Sequence, residues 1–376
     1  MSIPYILTPE PKEPAADRLR KLVAGDRVLI VPELHDCMSA KAAEMNGFEV
    51  IMVSSGDLAC ALTGIPDLQL LSIDDFVRVT EQITRMTPMP LIIDADDGFG
   101  LGRALNAQYG CMRIMQAGAA GVLVTDTSEL ARKGQLSIPD AVLRFEAARA
   151  GLNANGHHGF LIARCDSDLI HEFDSTVERC AAYIDAGADM LCILWMHKIP
   201  DRQMKVEMCR RLRDALNAKG GKYENFPMWY PDLCGKAHDP EEISMDDLKE
   251  LGVYKLAGIH FSAHAAMLAM LDVGRHVMQE QSNDYVDYHF DDTGYKTFTT
   301  MSMFGLTDGS WVEAENAFVR EPQDSVAQRN ADYFVREEDI HDLAVSPSWV
   351  LNLMARLPRE RPGRLRISSP WLLPVR

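Results

Sequence analysis

Eight short apolar, β-rich runs alternate along this chain with stretches of helical period, and no other feature limits its fold as strongly. The runs are Val28–Val31, Val50–Val53, Leu91–Asp94, Gly121–Thr125, Phe160–Arg164, Met190–Leu194, Pro227–Tyr230 and Lys255–Ile259. Helix candidates fall at Ser39–Met45, Ile73–Met86, Ala104–Ala117, Ile138–Leu152, Asp174–Ala186, Arg202–Ala218, Ser244–Leu251 and Ser262–Glu280. Each run is apolar almost throughout, the pattern of strands buried on both faces in a parallel sheet covered by helices. Eight strand–helix units in series fit an α/β fold closed into a (β/α)8 barrel of TIM type better than an open sheet. Asn46-Gly47-Phe48, Ala186-Gly187-Ala188-Asp189 and Leu251-Gly252-Val253 each stop a helix with a glycine before the next strand.

The chain has 376 residues, enough for such a barrel with additions at both ends. Four prolines in Pro4–Pro14 predict an irregular arm over residues 1–17, with the barrel spanning 18–285. Beyond it the alternation fails, and residues 286–376 read as an extension that packs on the barrel or on a partner subunit. A formal charge of −17, from 38 Lys and Arg against 55 Asp and Glu, repels phosphate backbones and anionic lipid. Neither nucleic acid nor a membrane is an expected partner, since no apolar run approaches the ~20 residues of a span. The eight cysteines are scattered without a CxxC pair, which suits a reducing cytoplasm.

Chemistry in a barrel of this kind sits where strands end and the following loops begin. The second run ends in Ser54-Ser55-Gly56-Asp57, the third in Asp94-Ala95-Asp96-Asp97-Gly98, the fourth in Thr125-Asp126-Thr127 and the fifth in Arg164-Cys165-Asp166. Carboxylates two apart on a strand end point the same way, so Asp94 and Asp96 form a pair of hard oxygen donors suited to Mg²⁺. A solvated acidic loop is the alternative reading. Gly98, Gly100 and Gly102 would let backbone approach a ligand, but they lack the GxGxxG spacing of a dinucleotide site. Arg164, at the end of an apolar strand, matches a carboxylate forkwise, whether a substrate's or that of a neighbouring acid. Ser55 and Gly56 offer a hydroxyl and backbone N–H groups to the other end of such a ligand.

The strand ending in Ser55-Gly56, the segment Gly64-Ile65-Pro66-Asp67-Leu68-Gln69-Leu70-Leu71-Ser72 and the run Asp94-Ala95-Asp96-Asp97-Gly98-Phe99-Gly100 together resemble the isocitrate lyase/phosphoenolpyruvate mutase superfamily. Ala117–Val124, Ile162–Ser167 and Ala186–Met190 extend the resemblance over roughly residues 18–285. The resemblance implies a barrel that binds Mg²⁺, or Mn²⁺ in its place, with a small 2-oxo or enol carboxylate, under a mobile loop after the fourth strand. It implies Asp67, Asp94 and Asp96 around the metal and Ser55, Gly56 and Arg164 at the substrate carboxylate, with Asp57 among the substrate contacts. Thr125, Asp126, His197 in Trp195-Met196-His197-Lys198 and Trp229 in the seventh run complete the expected substrate contacts. Homo-oligomers, dimeric or tetrameric, are also implied.

Two departures matter. Where the family has a Glu-Asp pair after the fourth strand, this chain has Thr125-Asp126, one carboxylate fewer. The loop Ser128–Pro139 also lacks the cysteine of the lyase branch, and Lys133 and Gln135 stand near the mutase branch's loop residues. The expected activity is therefore Mg²⁺-assisted making or breaking of a bond at C3, like that of a phosphoenolpyruvate mutase or phosphonopyruvate hydrolase, through an enolate. Carbon–carbon lysis of a 2-hydroxy diacid is the alternative, and a catalytically inactive ligand-binding barrel is a third reading. A zinc hydrolase is a rival on different residues, because His260-x-x-x-His264 has the spacing of two ligands on one helix face.

Overall fold

A computed structural model describes residues 13–99, 103–127, 134–231, 233, 241–282 and 284–285, without the side chains of residues 197 and 198. The residue 1–12 part of the expected arm and the extension at 286–376 lie outside the described residues, as do Lys133 and the segment 128–133 of the expected mobile loop.

Eight parallel strands close into one barrel in sequence order: β1 (Leu29–Leu34), β2 (Ile51–Val53), β3 (Leu91–Asp94), β4 (Gly121–Thr125), β5 (Phe160–Cys165), β6 (Met190–Ile193), β7 (Met228–Tyr230) and β8 (Tyr254–Ile259). Among the described residues ten α-helices accompany them: α1 (Ala15–Val23), α2 (Cys37–Met45), α3 (Ser55–Thr63), α4 (Ile73–Met86), α5 (Ala104–Gln116), α6 (Ile138–Leu152), α7 (Phe173–Asp185), α8 (Arg202–Asn217), α9 (Met245–Leu251) and α10 (Ala263–Glu280). The barrel expected from the alternation is the fold. None of the described helices is long and apolar enough to cross a membrane.

Two differences from the sequence reading bear on the site. First, β1 runs on to Leu34, past Pro32, which pairs in register with Ile259 of β8. A proline, lacking an N–H, is a residue of strand edges, yet here the wall continues and carries Glu33 with it. Second, Ser54-Ser55-Gly56-Asp57 is not a loop. Ser54 caps α3, its hydroxyl accepting from Asp57 N at 3.5 Å, and Ser55, Gly56 and Asp57 form the helix's first turn.

The period-two alternation of a strand splits the core in two. Leu29, Val31, Met52, Ile92, Leu123, Phe160, Ile162, Met190, Cys192, Trp229 and Leu256 pack together inside the barrel. Leu19 and Val23 of α1 join them, and Arg20 donates to Gly159 O just before β5, so α1 covers the end where strands begin. The alternate residues, among them Leu34, Ile93, Val124, Ala163 and Cys165, pack outward against the helices. Counting on by twos, Glu33, Asp94, Thr125 and Arg164 face inward at the catalytic end, whereas Asp126 and Cys165 face the helices.

Helix packing is closest between α5 and α6. A Cβ placed on Gly151 would lie 2.1 Å from the carbonyl oxygen of Gln108, a contact that backbone must move to relieve. Gly151→Ala is expected to lower unfolding stability by about 2 kcal/mol, read from urea midpoints. Gly156, whose Cβ would meet nothing within 4 Å, also has φ +78°, so its alanine variant reports left-handed strain without crowding.

Candidate active site

Three carboxylates gather around one hydroxyl. Ser55 Oγ, in the first turn of α3, lies 2.9 Å from Asp96 Oδ1, 3.3 Å from Asp94 Oδ2 and 3.3 Å from Asp67 Oδ2. With one proton to give, it donates to one of the three at a time. The corner after β3 is held by local backbone geometry. Asp96 N donates to Asp94 Oδ1 at 3.2 Å, Asp96 takes a left-handed φ of 46°, and Gly98 follows at +89°. A Cβ on Gly98 would sit 2.5 Å from Ala107 Cβ, so only glycine lets this corner lie against α5. The first two glycines' expected roles therefore separate: Gly98 serves packing, while Gly100 lies outside the described residues.

Asp94 is 9% exposed, and burial raises its pKa, with the charge of Arg164 and the Asp96 N–H working the other way and Asp67 adding to the rise. Arg164 is forked by Asp166, Nε to Oδ1 at 2.8 Å and Nη2 to Oδ2 at 2.9 Å. Burial alone would lower the guanidinium's pKa, but Asp166 and then Asp94 more than reverse this, so the charge is retained. Of the two partners expected for Arg164, the structure supplies the internal one, and the inward face of β5 still presents its charge to Asp94.

Gly56 lies next to Asp67, whose Cβ and Oδ2 would be 3.7 Å from a Cβ there, an ordinary contact. Steric need does not explain the glycine. Its position in the first turn of a nine-residue helix does place it among N–H groups that have no intrahelical acceptor. Asp57, in the same turn, faces the start of α10 instead, accepting from Ser262 Oγ and Ala263 N, both at 3.4 Å.

The other expected substrate contacts fall on both sides of the wall. Thr125 is fully buried, its hydroxyl 3.0 Å from that of Thr127. One residue on, alternation turns Asp126 to the helix side, away from the mouth. There it accepts from Tyr183 OH at 2.6 Å, Gln135 Nε2 at 2.7 Å and Asp166 N at 3.0 Å, with Arg179 at 3.7 Å. Burial raises the Asp126 pKa, against the pull of the Tyr183 hydrogen bond. Gln135 also donates to Ser167 Oγ at 2.8 Å, so its amide serves this outward network and does not reach the inner wall. Cys165, which follows Arg164 on β5, faces the same side, fully buried, with burial pushing its thiol pKa well up. Trp229 is 1% exposed in the barrel interior, a packing residue. His197 lies in the 3-10 turn Leu194–Lys198 after β6.

His260 precedes α10 and His264 lies within it, so the two do not share a helix face and the zinc argument fails. Glu33 is the residue that sequence reasoning missed. Its signal, a lone acid one residue past a proline, was hidden by the early end assigned to the first strand. Among the described residues no group of three or more His, Cys, Asp or Glu closes tightly enough to ligate an ion by itself. The donor set nonetheless fits Mg²⁺, which takes one or two carboxylates and keeps several waters. Asp94, Asp67 and Asp96 supply oxygens only, and their mutual repulsion gains from a cation.

This arrangement defines an enzyme whose chemistry sits at the C-terminal face of a (β/α)8 barrel. Residues 19–278 match the family model described as phosphoenolpyruvate phosphomutase, and the chain belongs to that family. It is 27% identical over 330 residues to the 2-methylisocitrate lyase of Aeropyrum pernix, covering 85% of this chain and 96% of that one. Among solved structures it is similar to 2,3-dimethylmalate lyase, a superfamily member, with a TM-score of 0.66, 24% identity, and 81% and 99% of the two chains covered. It is also similar to phosphonopyruvate hydrolase in complex with oxalate and Mg²⁺, with a TM-score of 0.65, 23% identity, and 82% and 100% covered. The last two likenesses show the fold. The chain is an enzyme of the isocitrate lyase/phosphoenolpyruvate mutase type.

Asp126→Ala removes the acceptor of three donors at once, the buried Tyr183 hydroxyl among them, and leaves Arg179 without that carboxylate. The expected loss is about 3 kcal/mol of stability, measured by denaturant unfolding, whereas Ser55→Ala should lose little.

Proposed function

We propose that this enzyme breaks a bond at C3 of a small anionic carboxylate carrying an oxygen on C2, in the manner of a phosphonopyruvate hydrolase or phosphoenolpyruvate mutase. The observation that carries this reading is the inward-facing group of Asp94 and Arg164, joined through Ser55 to Asp67, Asp96 and the N-terminus of α3. Asp94, with Asp67 and Asp96 directly or through water, would hold Mg²⁺, which would supply positive charge beside the substrate's carboxylate and C2 oxygen. Arg164 and the first-turn N–H groups at Ser55 and Gly56 orient the carboxylate. Negative charge that develops on the C2 oxygen as C3 is released then meets a preorganised positive field in a partly buried wall.

Carbon–carbon lysis of a 2-hydroxy diacid is the second reading. It is favoured by the extent of the match to 2-methylisocitrate lyase, which spans 96% of that relative. Both reactions leave an oxygen on C2 beside a carboxylate, so the same residues serve either.

The purified protein is expected to bind oxalate with Mg²⁺ by calorimetry. It is also expected to turn over at least one of phosphonopyruvate, 2-methylisocitrate, 2,3-dimethylmalate and oxaloacetate, with activity lost on chelation. Asp94→Ala should weaken Mg²⁺ binding at least 100-fold and leave the circular dichroism spectrum unchanged. Unaltered Mg²⁺ affinity would show that Asp94 holds no metal.

A homo-oligomer, dimer or tetramer, belongs to the same proposal. The 18-residue helix α10 has no buried residue, and Met267, Leu268, Met270, Leu271 and Met278 are each at least 55% exposed. That apolar surface would be covered by a second copy. Light scattering at micromolar concentration should give at least twice the 42.0 kDa chain mass, and a monomer would count against the contact.

A further inference from the structure

An acid and a base at the catalytic end remain without a role in the reading above. Glu33 faces inward from β1, 8% exposed, and β1 and β8 are neighbours in the wall. His260 follows the last residue of β8, and its Nδ1 lies 2.8 Å from Glu33 Oε2. The pair spans the boundary between core and solvent: the Glu33 side chain is 11% exposed and the His260 ring 60%. Asp57 of α3 and Asp94 of β3 face Glu33 by charge. Burial holds Glu33's carboxyl above the usual range, with the His260 hydrogen bond pulling the other way. Nearby, His35 Nδ1 is engaged at 2.8 Å with Ser262 Oγ.

Among the described side chains, several other proton carriers near the strand ends are turned elsewhere. Asp126, Tyr183 and Cys165 belong to the outward network, Cys192 is buried in the interior, and Asp166 holds Arg164. A buried carboxylate bonded to an accessible imidazole is the arrangement that fixes a ring's orientation and steadies its protonated form.

We propose that His260, positioned by Glu33, delivers the proton that C3 takes up when its bond breaks. This rests on the functional reading above and narrows it. In hydrolysis of a C3–P bond, the phosphorus passes to a water, which releases a proton to solvent, and the bond's electron pair stays on C3. In lysis of a C2–C3 bond, the 2-hydroxyl loses its proton, C2 becomes a carbonyl, and the pair again stays on C3. In both, a C3–H bond forms with the proton from the imidazolium nitrogen turned away from Glu33. The neutral ring then regains a proton from water. A mutase reaction leaves no new hydrogen on C3, so the assignment favours hydrolysis or lysis. His260 is the catalytic residue of the pair and Glu33 a positioning residue.

The test compares wild type with His260→Gln, His260→Ala, Glu33→Gln and Glu33→Asp, using Mg²⁺ with oxalate for binding and the four carboxylates above for turnover in D₂O. Wild type should place one deuterium on C3 of the product. His260→Gln should lower kcat at least 100-fold with oxalate affinity within threefold, and added imidazole should restore activity to His260→Ala. Glu33→Gln should lower kcat about tenfold with KM kept, and Glu33→Asp should recover part of it. Turnover by His260→Gln within threefold of wild type overturns the proposal. So does loss of oxalate binding together with activity and no imidazole rescue, the mark of a structural role. If wild type binds oxalate but turns over none of the four, the His260 ring resonance decides. Oxalate must move it, and an unmoved resonance overturns the assignment. Failure of wild type to bind oxalate at all is a different result, because it removes the functional reading itself.

Discussion

The polar residues on the strands at the catalytic end take their side from the two-residue period of a closed parallel wall. Because the strands are covered on both faces, a side chain has two destinations, the barrel interior or the helix layer. Asp94 and Arg164 share the inner destination with Glu33 and Thr125, while Asp126 and Cys165, each one residue off, take the outer. Chemistry and architecture are thereby separated at neighbouring positions. The inner set holds largely buried charge near the mouth, Asp94 and Glu33 among it. The outer set is a closed network in which Asp126 links β4, β5 and α7 and holds the end of the β4–α6 connection through Gln135.

Electrostatics at the inner wall explain why this end wants a cationic or strongly hydrogen-bonding ligand. Asp94 and Glu33 both have raised pKa values, burial being the larger cause for each. Arg164 offsets part of that cost but is already shared with Asp166. A site with a surplus of acids and one well-anchored guanidinium is suited to a small anion only when further positive charge accompanies it. The Mg²⁺ proposed for this site would answer that imbalance.

How much of this was legible in the sequence follows from what sequence can encode. Apolar runs and glycine stops reveal strands and helices because burial and helix termination leave marks on composition, so the barrel was readable from Val28 to Glu280. The acids Asp94 and Asp96 were readable because they abut a strand. Facing was harder. Thr125 and Asp126 looked equivalent until the strand's last residue was known, since one residue's difference in its end flips the side chain. Glu33 was lost for the same reason, its strand having been ended at Val31, before Pro32. Gln135 was placed by resemblance of a loop, and a loop's register carries no period from which the amide's partners at Asp126 and Ser167 could be deduced.

The hydroxyl of Ser55 has three carboxylate neighbours within 0.4 Å of the same distance and a single proton to share among them. Reassigning that proton takes only rotation about one bond, with no movement of backbone or packing. The serine thus behaves as a pointer: it turns toward whichever acid is most negative at the moment. A ligand that neutralises one acid redirects it to another, so the occupancy of the mouth is written into the orientation of one buried O–H, at the first turn of α3.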